Sequence, residues 1–295
     1  MSPDIRDARS TDAGKIAAIL TEAMDTPPWK PNLHSGAQDV AHCGRMIDKG
    51  WVATMVLTEP DAGSDVGAGR TKATPNEDGT WNIEGVKRFI TSGEYDFAEN
   101  IVHLVLARPE GHQPGTRGLS LFIVPKFLTD GNGGVGERNA VTCGSIEHKM
   151  GIKASATCVM NFDGAKGYLI GPENKGLNCM FTFMNTARIG TSIQGLAHAE
   201  LSYQGALTYA KERKSMRALS GKKEPDAIAD SLIHHGDVRR MLLKQKAIAE
   251  GGRAMIYFAA QYADKMISAA QADNDEEYQK WDDELGFLTP ILKGF

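Results

Sequence analysis

Cysteine is scarce in this chain: Cys43, Cys143, Cys158 and Cys179 are the only four in 295 residues, far apart and without a CxxC pair. That excludes a disulfide framework for a chain of this size and points to a reduced, cytoplasmic setting. A basic tract is missing too. The 33 basic and 37 acidic residues are spread along the chain and leave a net charge of -4, so nothing is built to offset a phosphate backbone, which argues against a nucleic-acid partner. Long apolar runs are also absent. LSLFIVP falls far short of the roughly 20 residues a membrane helix needs, so no integral membrane segment is expected. The opening MSPDIRDARS has no apolar core of a signal peptide. The eight histidines contain no HExxH, and His234-His235 reads as a solvated pair or cap at a polar helix start, not as a metal site.

What is present divides into three blocks. Residues 1–53 hold a short strand, IRDAR, then Ser10 or Thr11 as N-cap of a helix with Ile16, Ile19, Leu20 and Met24 on one face. After DTPPWKP, Ser35 and Gln38 have capping-box spacing at the head of a second helix that ends at Gly50. From Trp51 to about Gly171 come apolar runs between Gly, Pro, Asp and Asn turns: WVATMVLT, TWNIEGVKRFIT, NIVHLVLAR, GLSLFIVP and TCVMNFDG. Strands at that spacing predict a sandwich or a small barrel, with Asp78-Gly79 opening a hairpin. GNGGVGER, residues 131–138, has the glycines of a phosphate loop without its Lys-Ser/Thr and reads as a hairpin or crossover. Beyond Lys175 the pattern is helical. One long helix runs through KERK, a polar linker spans 220–230, a second helix covers about 235–270, and a third starts near Asp273. Met150, Met160, Met180 and Met184 read as core filling.

The stretch LTEPDAGSD stops a strand abruptly. Pro60 cannot continue the ladder and Gly63 permits close approach, so backbone N–H groups and the Thr58 and Ser64 hydroxyls face the rim. Such a rim could hydrogen-bond a flat, polar-edged ring, or be a plain solvated turn. Some 25 residues later KRFITSG ends another strand with Phe89, Ile90 and Thr91, a surface on which a ring could stack; Phe89 could equally be barrel core. Arg213, in ERK, reads by itself as a solvated helix-end cation.

LTEPDAGSD, GVKRFITSG and the helix containing ARIGTSIQGLA and ending KERKS, in that order, resemble the flavin-dependent acyl-CoA dehydrogenases over about residues 52–295. Within that family, MFTFMNTARIG and the inserted 218–236 region resemble the larger bacterial branch that includes the 3-methylthiopropanoyl-CoA dehydrogenases. The resemblance implies an α+β fold: a β-barrel flavin-binding domain, 54–172, and a C-terminal helical domain, 173–295, incomplete as written. It implies FAD as cofactor, with Met55, Leu57, Thr58, Gly63 and Ser64 along it and Phe89, Ile90 and Thr91 against the isoalloxazine. Arg213 and Ser215 match positions that reach the FAD pyrophosphate of a neighbouring subunit. Ser64, Asn185 and Arg188 match acyl-CoA contacts. The implied activity is α,β-dehydrogenation of an acyl-CoA to a trans-2-enoyl-CoA, as in fatty acid β-oxidation, with electrons passed to an electron-transfer flavoprotein by a homo-oligomer.

The family's base is a glutamate in an IYEGT-like segment near the C-terminus, which this sequence does not contain; some relatives carry it before the arginine of the first long helix, where Ala187 stands here. No catalytic residue is therefore assigned, and a chain that only binds flavin or acyl-CoA is the alternative. Residues 1–53 resemble instead the opening of a GNAT-type N-acetyltransferase, although the nearest pyrophosphate loop, Arg108 to Gln113, departs from that motif at its last position. The sequence thus reads as a mosaic joined near Trp51 to Thr54 and cut before its catalytic end. Apolar faces at Phe287, Leu288, Ile291 and Leu292 are expected to be exposed, favouring non-native association.

Overall fold

The computed structural model describes residues 49–130 and 134–294; the strand and helices expected within residues 1–48 lie outside them. The chain divides into two compact units, one up to Phe183 and one from Met184.

The first unit is a closed sheet. Its strands are β1 (Val52–Val56), β2 (Lys72–Pro75), β3 (Trp81–Thr91), β4 (Ile101–Pro109), β5 (Ser120–Pro125), β6 (Phe127–Thr129), β7 (Val135–Arg138), β8 (Val141–Ile146) and β9 (Thr157–Ile170). The ladder runs β4-β2-β3-β9-β5, and β5 pairs back with β4. That closure decides for a barrel over a sandwich, because no pair of facing sheets remains. β1 lies parallel to β4 and β8 antiparallel to β9. Strand β4 has β1 and β2 on one side and β5 on the other, so nearly all of it is buried, and its sequence IVHLVLA reads as an apolar run without alternation. Strand β9 alternates instead: Cys158, Met160 and Phe162 point into a core shared with Val56, Ile83, Val105 and Phe122. Two elements the sequence pattern does not reveal are β2 and β8, both short and poor in apolar residues. The β6–β7 pair is a hairpin, one of the two readings of GNGGVGER.

Three helices follow: α1 (Gly176–Glu212), α2 (Gly236–Gln271) and α3 (Asp275–Gly294). The start of α1 is seated on the barrel. Gly176 donates its N–H to the Leu119 carbonyl at 2.9 Å, and a Cβ there would meet the Ser120 carbonyl carbon at 2.5 Å. In the second unit Ile189 from α1, Ile256 and Ala259 from α2, and Leu285 and Leu292 from α3 form one apolar cluster.

Residues 220–230 link α1 to α2 without helix or strand, and at their end Asp230 is fully buried and gathers its neighbours around its carboxylate. Two expectations need correction here. Met150 is almost fully exposed, whereas Met160 and Met180 are buried. On α3, Phe287 and Ile291 are exposed as expected, but Leu292 is buried in the cluster and Leu288 is half-buried.

Candidate functional site

Two stretches far apart in sequence come together at one end of the barrel. Strand β1 runs out through Leu57 and Thr58 into the turn Glu59 to Ala62, which closes on itself: Glu59 and Ala62 each donate an N–H to the other's carbonyl at 3.1 Å. Beside it, Arg88 of β3 donates its N–H to the Thr58 carbonyl at 2.8 Å. The link between them is an ion pair inside the barrel. Lys87 Nζ lies 2.9 Å from Glu59 Oε1 and also donates to the carbonyls of Leu57 (2.9 Å) and Leu106 (2.7 Å). Glu59 in turn accepts the N–H groups of Arg70 at 2.6 Å and Thr71 at 3.1 Å. Burial pushes the Glu59 carboxyl up, but the Lys87 charge and these N–H donors outweigh it and hold the group below its ordinary value.

The same link explains an irregularity in β3. Ile83 and Lys87 point inward, but the next inward residue is Ile90, three positions on, because the β3–β9 register shifts between Lys87 and Ile90. This is a β-bulge, and it re-aims the side chains beside it. Phe89 pays for the bulge with φ at +61°, a region in which a bulky aromatic is an outlier costing about 1–3 kcal/mol. Its ring is nonetheless 54% exposed, with the Arg88 guanidinium 4.8 Å from its centroid. Arg88 is held on its other side by Glu147 at 3.0 Å. Of the two readings open for Phe89, core is thus excluded.

The remaining expected residues fall into two groups. Met55 is 40% exposed on β1; Leu57 and Thr58 are half-buried, and Gly63, Ser64 and Thr91 are exposed. Ile90 is buried and serves the core. Arg188, Asn185 and Ala187 lie on α1, where Ala187 is exposed and the Asn185 side chain lies outside those described. Arg213 and Ser215 stand just past its end, with Arg213 exposed. The Arg108 guanidinium, by contrast, donates to the carbonyls of Gly67, Gln113 and Gly115. It is a loop brace, with three of its five donors committed to backbone carbonyls. His234 sits 3.6 Å from Glu224, and Asp237 and Arg240 form an exposed pair at 3.7 Å.

Phe89 thus presents an exposed apolar ring in a costly backbone conformation with the Arg88 guanidinium beside it; together with the rim of Thr58, Gly63 and Ser64 after β1, such a surface fits a planar, polar-edged ring system.

Residues 54–165 match the family description "Acyl-CoA dehydrogenase, middle domain". The chain belongs to the acyl-CoA dehydrogenase family. It is 46% identical over 261 residues to 3-methylmercaptopropionyl-CoA dehydrogenase of Ruegeria pomeroyi, covering 88% of this chain and 43% of that one. It is 47% identical over 253 residues to the broad-specificity linear acyl-CoA dehydrogenase FadE5 of Mycobacterium tuberculosis, covering 84% and 41%. Among solved structures, an acyl-CoA dehydrogenase of Bacillus anthracis complexed with FAD shares the fold, with a TM-score of 0.61 at 21% identity over 81% of this chain and 37% of that one. The chain therefore spans about two fifths of the curated dehydrogenases it matches.

The acetyltransferase resemblance of residues 1–53 is not supported. A dehydrogenase match covering 88% of the chain is longer than the stretch from Thr54 to Phe295 can supply, so the likeness to this family runs upstream of the junction expected near Trp51 to Thr54. Residues missed by the sequence reading are Lys87, Glu59 and Asp230. For Lys87 a signal was available: in WNIEGVKRFIT it shares the inward period of Ile83, while apolar Val86 falls on the outward one.

Proposed function

We propose that this chain forms the flavin-binding barrel, 54–172, and the leading helices, 173–295, of an FAD-dependent acyl-CoA dehydrogenase that converts an acyl-CoA to a trans-2-enoyl-CoA and passes electrons to an electron-transfer flavoprotein. The observation that carries the reading is the exposed, strained Phe89 ring beside the rim of the TEPDAGS turn. Among the relatives, the one solved with FAD supports the cofactor, and the 46% identity to a 3-methylmercaptopropionyl-CoA dehydrogenase supports the larger bacterial branch.

In this reading FAD, when bound, accepts the hydride that leaves the substrate's β-carbon. Met55 and Phe89 give its ring system an apolar wall, and the Thr58 and Thr91 hydroxyls serve its polar edge. Leu57 and Gly63 shape the close approach, while Ile90 anchors the strand from beneath. Ser64, Asn185 and Arg188 hold the acyl-CoA. Arg213 and Ser215 serve the pyrophosphate of FAD in a neighbouring copy, since a guanidinium pairs phosphate oxygens in a fixed fork. Exposed Leu201, Tyr209, Leu243, Tyr257 and Phe258 on α1 and α2 support a homo-oligomer. Among the described residues no helix is long and apolar enough to cross a membrane; a cytoplasmic enzyme is proposed.

A second reading has its own observation. Removal of the α proton needs a positioned carboxylate, and exposed Ala187 offers none. On that ground the chain would bind flavin and acyl-CoA without turning over. The visible spectrum with FAD, before and after anaerobic addition of short and medium acyl-CoAs, separates the two. Flavin that binds and bleaches supports the dehydrogenase; flavin that binds and stays oxidised supports the binding-only chain. A chain that binds no flavin overturns both.

A further inference from the structure

The arm that follows α1 is held by a single carboxylate from the inserted region. Asp230 is fully buried. Its Oδ1 accepts the N–H of Glu224 at 2.8 Å and of Lys223 at 2.9 Å, and Arg217 Nη1 at 3.2 Å; its Oδ2 accepts the N–H of Ala218 at 2.9 Å. Four donors satisfy a charge that would otherwise be costly to bury. These N–H groups, led by that of Ala218, keep its carboxyl well below the usual range.

The backbone of Asp230 grips the arm directly. It donates its N–H to the Met216 carbonyl at 2.8 Å and accepts the N–H of Ser215 at 3.0 Å. Two residues on, Leu232 donates to the Arg213 carbonyl at 2.8 Å. Lys214 is turned onto Glu224 at 2.6 Å, and Glu224 also accepts the Ser231 N–H at 3.0 Å. Each residue from Arg213 to Met216 is thus tied by backbone or side chain, and Met216 accepts φ +58° to make the turn. Of the two cations in this segment, Lys214 is paired with Glu224, while the Arg213 side chain is exposed with no hydrogen bond or ion pair among the described residues. A cation left free on a backbone that cannot drift is preorganised for an anion, because the ordering cost is met before binding.

We propose that Asp230 is a positioning residue, which holds Arg213 and Ser215 in the orientation that receives the pyrophosphate of FAD. The proposal rests on the flavin reading above. Asp230→Asn tests it, since an amide has one acceptor oxygen for the four donors and sets its own N–H groups against one of them.

The full chain and its R213A, D230N and R213A/D230N variants are titrated with FAD and with riboflavin, which lacks the pyrophosphate, and followed by flavin fluorescence. Amide hydrogen exchange is measured alongside. The expected result is a loss of about tenfold in FAD affinity for each single variant with riboflavin unaffected, and a double-variant loss well below the two added together, since Asp230 acts in the main through Arg213. The Ser215 and Leu232 amides are expected to be protected in the parent chain and to exchange at least about tenfold faster in D230N, with the β4 amides unchanged.

If R213A leaves FAD affinity intact, the flavin reading of Arg213 fails and this proposal with it. If R213A weakens FAD but D230N does not, or if the two losses add in full, the proposal fails and the flavin reading stands. Unprotected Ser215 and Leu232 amides in the parent chain overturn it without any variant.

Discussion

Lys87 and Glu59 meet at 2.9 Å inside the barrel, with the lysine 1% exposed, and so join the two segments whose outer faces form the candidate flavin site. Of the charged residues in TEPDAGSD and KRFITSG, Glu59 and Lys87 form the buried clasp under the candidate site. Breaking one side of a buried pair leaves an uncompensated charge and costs about 3–5 kcal/mol. Lys87→Met or Glu59→Leu alone is expected to lower barrel stability by that order in urea denaturation, and the double variant to recover most of it. A single variant as stable as the parent chain would refute the clasp.

His103 gives the barrel a dependence on pH. It is fully buried, takes a 2.7 Å hydrogen bond at Nδ1 with Thr54, and has no partner at Nε2 among the described residues. Burial, reinforced by Lys126 and Arg138 and opposed by Glu94, pushes its pKa down to about 4. Because the unfolded imidazole titrates near 6.5, the unfolded state binds the proton first. The histidine's contribution is therefore fully present above about pH 6.5 and is lost as pH falls towards 4, by roughly 3 kcal/mol in all. Denaturation midpoints measured across that window should fall in the parent chain and fall less in His103→Gln. Below it the Glu59 carboxylate, itself depressed, adds a second loss on acidification.

Phe89 separates stability from binding. A glycine accepts φ +61° without strain, and the ring contributes little packing while half exposed. Phe89→Gly is expected to leave the barrel as stable or up to about 1 kcal/mol more stable, while flavin affinity falls several-fold. Stability and flavin affinity lost together would mean that the ring braces the barrel and is not a separate binding surface.

Gly176 tests the seating of α1. A methyl group there would lie 2.5 Å from the Ser120 backbone, which has no flexible side chain to give way. Gly176→Ala is expected to destabilise by about 1–3 kcal/mol despite the better helix propensity of alanine. Exchange of the Gly176 amide, protected by Leu119 at 2.9 Å, should quicken.

The long helices were legible because their helical character extends over many turns without a proline or a run of turn residues in α1, whose interior glycines Gly190, Gly195 and Gly205 weaken it without breaking it. The strands β1, β3, β4, β5 and β9 were legible as apolar runs set between Gly, Pro, Asp and Asn turns, alternating in β9 and continuous in β4 and β5. β2, with KATP, and β8, with VTCGSI, carry too few apolar residues to stand out, and they are strands because neighbours offer them a ladder. Residue types at the candidate site were visible as well: a proline and small residues after one strand, an aromatic and a hydroxyl at the end of another.

By itself the sequence determined the order of elements, the end points of β1 and β3, and which side chains could meet a flat polar ring. Only the tertiary structure decided which way those side chains turn. Residue type favours Val86 inside and Lys87 outside, whereas the period set by Ile83 turns Lys87 inward; the period holds, because Glu59 and two carbonyls within the barrel satisfy the ammonium. With Lys87 inward, the bulge must follow before Ile90 can return to the core, and the bulge is what leaves Phe89 facing out. Asp230 follows the same logic: a polar stretch reads as solvent-exposed until the N–H groups that claim its carboxylate, as many as twelve residues away in sequence, are brought to it by the fold.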